Sequence, residues 1–266
     1  MTGLLLKVEP VLSWVGAPLL DQIKTLRLSF KLFILCCSQL LKPWRVKEIL
    51  KQTSHMSLGA LPLVILSTAF AGIVMTNEIA WHMDLALHTL TMIPGFTTQF
   101  ILREIGVAIP AMLIISKVGA GMAAELGGMK ITDQLDALKV LKIDLVEYLI
   151  FPRWIGCILT LICLTWIALG VTLGCAIFIA VFRYGFNPLE YIQTMRQFVG
   201  MEDLICAFVK ALVFGVQIPI ICCAYGLRCR MGAQGVGFAT TQAVVTCTMI
   251  LIVWDFLITW VFTQWI

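Results

Sequence analysis

The amino-acid sequence predicts an all-α integral membrane protein with five transmembrane helices. Three observations support this fold class: 60% of the 266 residues are hydrophobic, only 13% are charged, and the mean hydropathy is +0.97. Average soluble domains carry about 25% charged residues. Charge is therefore too scarce to cover a water-facing surface, and lipid is the expected solvent. The net charge of +4 is modest and calls for no nucleic-acid partner.

Five stretches are long and apolar enough to cross a bilayer, which requires about 20 mostly apolar residues. The longest run without a charged side chain covers residues 154–182. As a helix this run is about 43 Å long, so it must tilt within, or protrude from, a hydrocarbon core of about 30 Å. The predicted spans are residues 56–77, 105–124, 154–182, 207–227 and 231–264.

Residues 1–54 differ in kind from the membrane domain predicted for residues 55–266. Charged residues three or four positions apart share one helical face there, which predicts an amphipathic helix in the cytoplasmic interface. A sixth span over residues 28–41 is the alternative, but it would be short and would contain Lys31. The charged face comprises Asp21, Lys24, Arg27 and Lys31, and the apolar side includes Trp14, Phe30 and Phe33.

The distribution of basic residues predicts the orientation. Fourteen Lys and Arg residues lie in residues 1–55, 125–153 and 228–230, which fall on one side of a five-span protein. The alternating loops, residues 77–104 and 183–210, carry four. Basic loops face the cytoplasm. The N-terminus is therefore expected in the cytoplasm and the C-terminus in the periplasm.

Four charged residues lie within or at the edge of the apolar spans, where a charge is costly and indicates function. Arg103 and Glu104 begin the predicted second span, Lys117 lies inside it, and Asp255 divides the last. Glu104 and Lys117 are 13 residues apart, about 20 Å along a helix, so they do not pair directly. Snorkelling of Lys117 to the cytoplasmic interface, and a place for Asp255 near the outer interface, are the alternatives.

A polar stretch, residues 124–138, separates the second and third spans. Gly127 and Gly128 are expected to end the second span, and Thr132 with Asp133 to begin a short helix parallel to the membrane. Such a helix is suited to contact a cytoplasmic partner, and an ordinary amphipathic loop helix is the alternative. Its predicted apolar stripe is Ile131, Leu135, Leu138, Leu141 and Leu145.

The sequence offers no arrangement typical of catalysis or metal binding. The ten cysteines lie mostly in apolar runs without a Cys-x-x-Cys pair, and free cysteine packs as a small hydrophobic residue. His82 and His88 flank Asp84, but this spacing matches no standard metal-ligand pattern. We expect no catalytic residue, no metal site and no resident cofactor. The pattern favours a transporter subunit driven by a partner. A self-contained secondary transporter of an amphipathic substrate and a non-transporting assembly subunit are the alternatives.

Three blocks of residues resemble the MlaE/YrbE family of ABC-transporter permeases. The first block is Arg103-Glu104-Ile105-Gly106, followed by the small-residue run at 118–121. The second, residues 124–138, is similar to the family pattern Ala-Glu-Leu-Gly-x-Met-x-x-Thr-Glu-Gln-x-x-Ala-Leu. The third, residues 235–245, is close to Gly-Val-Gly-x-Ala-Thr-Thr-x-Ala-Val-Val. Lys117 stands where the family typically has arginine, and Asp133 replaces a common glutamate.

The resemblance implies a homodimeric permease in the bacterial inner membrane, with two MlaF-like cytoplasmic ATPases and a periplasmic ring of an MlaD-like MCE-domain protein. Phospholipid would pass between the inner membrane and that ring, which maintains outer-membrane lipid asymmetry or lipid supply. The chain has no Gly-x-x-x-x-Gly-Lys-Ser/Thr pattern, so a partner is expected to hydrolyse ATP and the chain itself is not expected to be an enzyme.

The resemblance also assigns roles to residues of this sequence. Arg103 and Glu104 would lie by the cavity mouth, and with Lys117 and Asp255, the other charged residues within the spans, they are the candidate residues of the lipid path. The region coupled to the ATPase would include Glu125, Met129, Lys130, Asp133, Gln134, Asp136 and Lys139.

Overall fold

The computed structural model describes residues 2–41, 45–88, 91–230 and 232–264, and all regular structure within them is helical. The helices are α1 (Thr2–Gln39), α2 (Val46–Leu87), α3 (Ile93–Phe100), α4 (Gly106–Ile114), α5 (Ala120–Ile131), α6 (Gln134–Val140), α7 (Phe151–Tyr184), α8 (Pro188–Phe198), α9 (Met201–Leu227) and α10 (Ala233–Gln264). Three π-helical turns join helices: Ile101–Ile105 joins α3 to α4, and Ile115–Gly119 joins α4 to α5. The third, Val146–Ile150, joins the loop after α6 to α7.

Five helical segments of the described ranges are long and apolar enough to cross a membrane, which confirms the predicted fold class. The chain is therefore a multi-pass membrane protein. Large apolar side chains such as Phe70, Met249 and Phe256 lie exposed on these helices, as lipid-facing residues do. The segments are Val46–Leu85, Ile93–Ile131, Val146–Tyr184, Met201–Leu227 and Ala233–Gln264.

The second segment, Ile93–Ile131 (called span 2 below), corrects two expectations. It begins at Ile93, so Arg103 and Glu104 lie inside the span and do not begin it. It also continues through Gly127 and Gly128, which were expected to end it. Gly127 is buried close to Cys229 and Val236, and glycine is tolerated within membrane helices because neighbouring helices pack against it.

Helix α9 is the centre of the bundle. In its most apolar window 61% of the residues are buried, against 22% in α2 and in α10, so α9 is enclosed by the other helices while α2 and α10 form outer walls. It contacts α1, α5, α7 and α10. The most extensive packing between two helices joins α2 and α7 along the outside of α9.

The two ends of the bundle carry different elements. At one end, which we call the α6 end, Lys130 Nζ donates to the Leu227 carbonyl at 2.8 Å and so ties span 2 to the end of α9. At the opposite end, Tyr184 Oη donates to Asn77 Oδ1 at 3.0 Å between α7 and α2. Helix α8 packs over α3 there and buries Tyr191, and this burial raises the pKa of Tyr191 to about 12.

Helix α1 packs against the α6 end rather than standing apart from the bundle. Arg228 Nη2 forms an ion pair with Asp21 at 2.6 Å, and Phe33 packs edge-on against Trp154 with ring centroids 6.2 Å apart. Phe30, predicted on the same apolar side as Phe33, is 67% exposed instead. The side chain of Trp14 lies outside the described residues. The bundle-facing residues of α1 are Thr25, Ser29, Leu32, Cys36 and Gln39.

The close packing of α2 on α7 gives a test of the fold. A Cβ at Gly72 would lie 2.4 Å from the Thr172 carbonyl oxygen, which is backbone and cannot move aside. Gly72→Ala is therefore expected to destabilise the solubilised protein by about 1–3 kcal/mol through overpacking. Gly170→Ala on α7, where a Cβ meets nothing within 4 Å, is the matched control. Thermal unfolding in detergent distinguishes them, and equal midpoints for the two variants would contradict this packing.

Candidate functional site

The candidate site begins at the first π turn of span 2, Ile101–Ile105. Pro110 has no N–H to donate to the carbonyl of Gly106, so the helical hydrogen-bond ladder is interrupted directly after this turn. A π turn adds one residue to a helical turn and is frequent at functional sites. It carries both Arg103 and Glu104.

Lys210 of α9 is the central residue of the site. Its side chain is fully buried, and lysine is almost never fully buried unless it is paired. The ammonium has three donors. It hydrogen-bonds to two oxygen atoms and forms an ion pair with a third, Asp255 Oδ1, which no hydrogen bond of the described residues reaches. Nζ lies 2.5 Å from the Arg103 carbonyl oxygen, 3.2 Å from Glu104 Oε1 and 2.7 Å from Asp255 Oδ1.

A second ion pair lies beside the first. Arg103 Nε donates to Asp203 Oδ1 at 2.5 Å, and the backbone N–H of Gly200 donates to Asp203 Oδ2 at 3.1 Å. Asp203 lies in the first turn of α9, where a negative charge is favoured by the helix dipole. On the other side of the site, Thr259 Oγ1 donates to Glu104 Oε1 at 2.9 Å.

These five charged residues form what we call the Lys210 cluster: Arg103, Glu104, Asp203, Lys210 and Asp255. It holds two cations and three carboxylates, with formal charges that sum to −1. The side chains of Lys210 and Asp203 are 0% and 3% exposed, whereas that of Glu104 is 32% exposed. Glu104 is therefore the member best placed to meet a ligand.

The structure brings three of the four predicted path residues together and leaves the fourth apart. Arg103, Glu104 and Asp255 belong to the Lys210 cluster, so Asp255 is an ion-pair partner inside the bundle. Lys117 lies in the second π turn and donates from Nζ to the Gly59 carbonyl of α2.

Two members of the cluster were not predicted from the sequence. Lys210 was counted among the basic residues of a loop, but it lies within α9. The sequence did indicate that Lys210 lies within a membrane helix, because apolar residues of α9 continue on both sides of it. Asp203 offered no comparable signal, since an acidic residue at the start of a helix is common.

The predicted coupling residues divide into a group that contacts the bundle and an outward group. Glu125 is exposed but accepts from Arg153 Nη2 at 3.0 Å, Lys130 is bonded to the end of α9, and Met129 packs against the core. The outward group is exposed on and before α6, and within it Lys139 Nζ lies 2.6 Å from Asp136 Oδ1. The outward group consists of Asp133, Gln134, Asp136 and Lys139.

The start and the stripe of α6 both differ from expectation. Asp133 precedes the helix with a φ of +55°, in the left-handed region, and its side chain makes no capping hydrogen bond. Helix α6 ends at Val140, so the predicted stripe does not continue along one helix to Leu145. Leu135 is buried, but Leu141 is 68% exposed. The turn at Lys142, with a φ of +55°, changes the chain direction after α6.

The pairing of Lys210 gives a test of the site. Lys210→Met removes the only cation that contacts both Glu104 and Asp255 among the described residues. Removing one partner of a buried ion pair costs about 3–5 kcal/mol, because the remaining charges stay buried. We expect a large fall in thermal stability in detergent, and partial recovery in the Lys210→Met, Asp255→Asn double variant. Additive losses in the double variant would show that the two side chains do not interact.

Comparisons with known proteins agree with this architecture. A probable ABC transporter permease protein of Synechocystis sp. is 34% identical over 218 residues, which cover 82% of each chain. One of Rickettsia typhi is 33% identical over 236 residues, 85% of this chain and 87% of the relative. One of Pyropia yezoensis is 29% identical over 242 residues, 90% of each chain. The family model described as "Permease MlaE" matches residues 49–261. The chain therefore belongs to the MlaE permease family.

Proposed function

We propose that this chain is the permease subunit of an ABC transporter that moves phospholipid between the bacterial inner membrane and a periplasmic MCE-domain protein. It acts as a homodimer with two cytoplasmic ATPase subunits, which hydrolyse the ATP. Membership of the MlaE permease family supports the transporter class, as do relatives named as probable ABC transporter permeases. The transport maintains outer-membrane lipid asymmetry or lipid supply.

The observation that carries the choice of substrate is the Lys210 cluster within an apolar bundle. A phospholipid combines a charged headgroup with apolar chains, so its path needs both kinds of surface. Glu104 offers a partly exposed carboxylate, and Trp260 of α10 offers exposed apolar surface five residues from Asp255. Charges fixed by ion pairs on α9 keep their positions as the lipid passes, because the pairs are buried.

The α6 end supplies the proposed contact with the ATPase. The excess of basic residues in the loops at this end supports a cytoplasmic location, and α6 is the short helix at this end between two spans. Its outward group of Asp133, Gln134, Asp136 and Lys139 is exposed. Helix α6 is held to the bundle, because its Leu135 is buried and the preceding Lys130 is hydrogen-bonded to the end of α9. A force on α6 therefore reaches span 2 and α9 together.

Charge reversal on α6 tests this contact. Asp136→Lys replaces an ion pair with Lys139 by two like charges, on a surface that the ATPase would cover. The pair is exposed and contributes little to stability, about 0–1 kcal/mol. We expect the protein to reach the membrane in normal amounts and the lipid-dependent stimulation of the ATPase to be lost.

Glu48→Lys is the matched control for this reversal. It breaks an equivalent exposed pair, Arg45–Glu48, also three residues apart and at the same end of the bundle but outside α6. Loss of stimulation in Asp136→Lys alone supports the coupling role. Normal stimulation in Asp136→Lys, or equal loss in both variants, would contradict it.

The proposed function is tested by gentle affinity purification from the native membrane, followed by mass spectrometry of proteins and lipids. We expect an ATPase, an MCE-domain protein and bound phospholipid to be recovered with the chain. Recovery of the chain alone, intact and dimeric under conditions that preserve other membrane complexes, would instead favour a self-contained transporter.

The same preparation tests the role of Glu104. Loss of a hydrogen bond to a charged group costs about 1.5 kcal/mol, equivalent to roughly tenfold weaker binding. Glu104→Ala is therefore expected to retain less phospholipid than the wild type. Glu202→Ala removes an exposed carboxylate near the same end without touching the cluster, and should retain the wild-type amount. Equal retention in both variants would assign Glu104 a structural role only.

A further inference from the structure

A second polar cavity lies near the α6 end, remote from the Lys210 cluster. It opens between α2, span 2 and the start of α7, and its volume is about 190 Å³. Its polar lining consists of Gln52, His55, Lys117, Glu125 and Arg153, and Gly59 and Gly121 keep it open on two helices. Lys117 and Glu125 were considered above as single residues, but no role has been assigned to the cavity that they line together.

Arg153 forms the buried part of the cavity lining. Its side chain is only 8% exposed, and Nη2 donates to Glu125 Oε2 at 3.0 Å. Its Nη1 is buried and has no hydrogen-bond partner among the described residues. Buried donors are almost always satisfied, and an arginine fork matches phosphate oxygens. Nη1 therefore marks the position of an acceptor that the described part of the chain does not provide.

Lys117 adds a second cation to the same cavity. Its ammonium bonds to the Gly59 carbonyl, which is neutral, so its charge is not balanced by that contact. The second π turn of span 2, Ile115–Gly119, carries Lys117 toward α2. The side chain is exposed, so the cavity is open to ligands on that side.

The charges that face the cavity favour an anion. Lys117 and Arg153 contribute two positive charges, and Glu125 contributes one negative charge. His55 and Gln52 of α2 add further polar groups without a fixed negative charge. Glu125 is bonded to Arg153 through Nη2, which leaves Nη1 available. The cavity lining therefore carries a net formal charge of +1.

We propose that this cavity binds a phosphate group, held between Arg153 Nη1 and Lys117 Nζ. Its volume of about 190 Å³ leaves room for a phosphate group with its ester oxygens. The phosphate is that of a lipid headgroup at this end of the bundle or a free inorganic phosphate. The proposal does not depend on which substrate the permease transports.

The test uses native mass spectrometry of the full-length protein, purified in detergent and stripped of lipid. The probes are phosphatidylglycerol, diacylglycerol, which lacks phosphate, and inorganic phosphate. Lys117→Gln removes an exposed charge without disturbing the core. Lys51→Gln, an exposed lysine of α2 outside the cavity, is the matched control. Arg153→Lys keeps the charge and removes the unpaired Nη1.

If the ligand is a lipid phosphate, we expect phosphatidylglycerol to bind about tenfold more weakly to Lys117→Gln and to Arg153→Lys than to the wild type. Lys51→Gln should bind it like the wild type. Diacylglycerol binding should then be equal in all proteins. If the ligand is free phosphate, we expect saturable binding of inorganic phosphate to the wild type and its loss in Lys117→Gln. The binding of phosphatidylglycerol should then be the same in both proteins. If neither probe distinguishes Lys117→Gln from the wild type, the proposal is overturned. Because Lys117 is exposed, this result stands even if Arg153→Lys fails to fold.

Discussion

The burial of one lysine constrains much of this structure. Lys210 lies on the central helix α9, and its ammonium is stable there only because three oxygen atoms surround it. Those atoms come from two other elements, the first π turn of span 2 and the last third of α10. The relative positions of α9, span 2 and α10 at that end are therefore fixed together. Moving any one of them exposes an unpaired charge to an apolar interior, which is far more costly than losing a few apolar contacts.

The polar residues of the bundle form two separate layers. The Lys210 cluster lies at one end, and Lys117, Glu125 and Arg153 lie toward the α6 end. Glu104 and Lys117 are 13 residues apart on span 2, about 20 Å along the helix, and the residues between them are apolar except Ser116. A charge that moves from one layer to the other must cross that apolar length. The apolar length between them therefore separates the charges of the two layers.

Hydropathy and charge were sufficient to predict the number and order of the spans, because both depend on composition averaged over about 20 residues. They were not sufficient to predict which charged residues meet. That depends on helical phase, and each π turn shifts the phase of everything after it. Arg103 and Glu104 are neighbours in sequence, yet one pairs with Asp203 and the other with Lys210. The cavity at Arg153 was likewise unpredictable, since it requires the placement of three helices.

The π turns also connect the two layers with α6. Both layers place a charged residue of span 2 on a π turn, Glu104 on the first and Lys117 on the second. π turns are among the recognised positions at which helices kink, and they are frequent at functional sites. Span 2 is bonded to α9 at both ends, through Lys130 at the α6 end and through Arg103 and Glu104 at the other. In the proposed coupling, a push on α6 would reach α9 through Lys130 at the near end. Within span 2 it would act on the two turns that hold Lys117 and Glu104, and so on both polar layers.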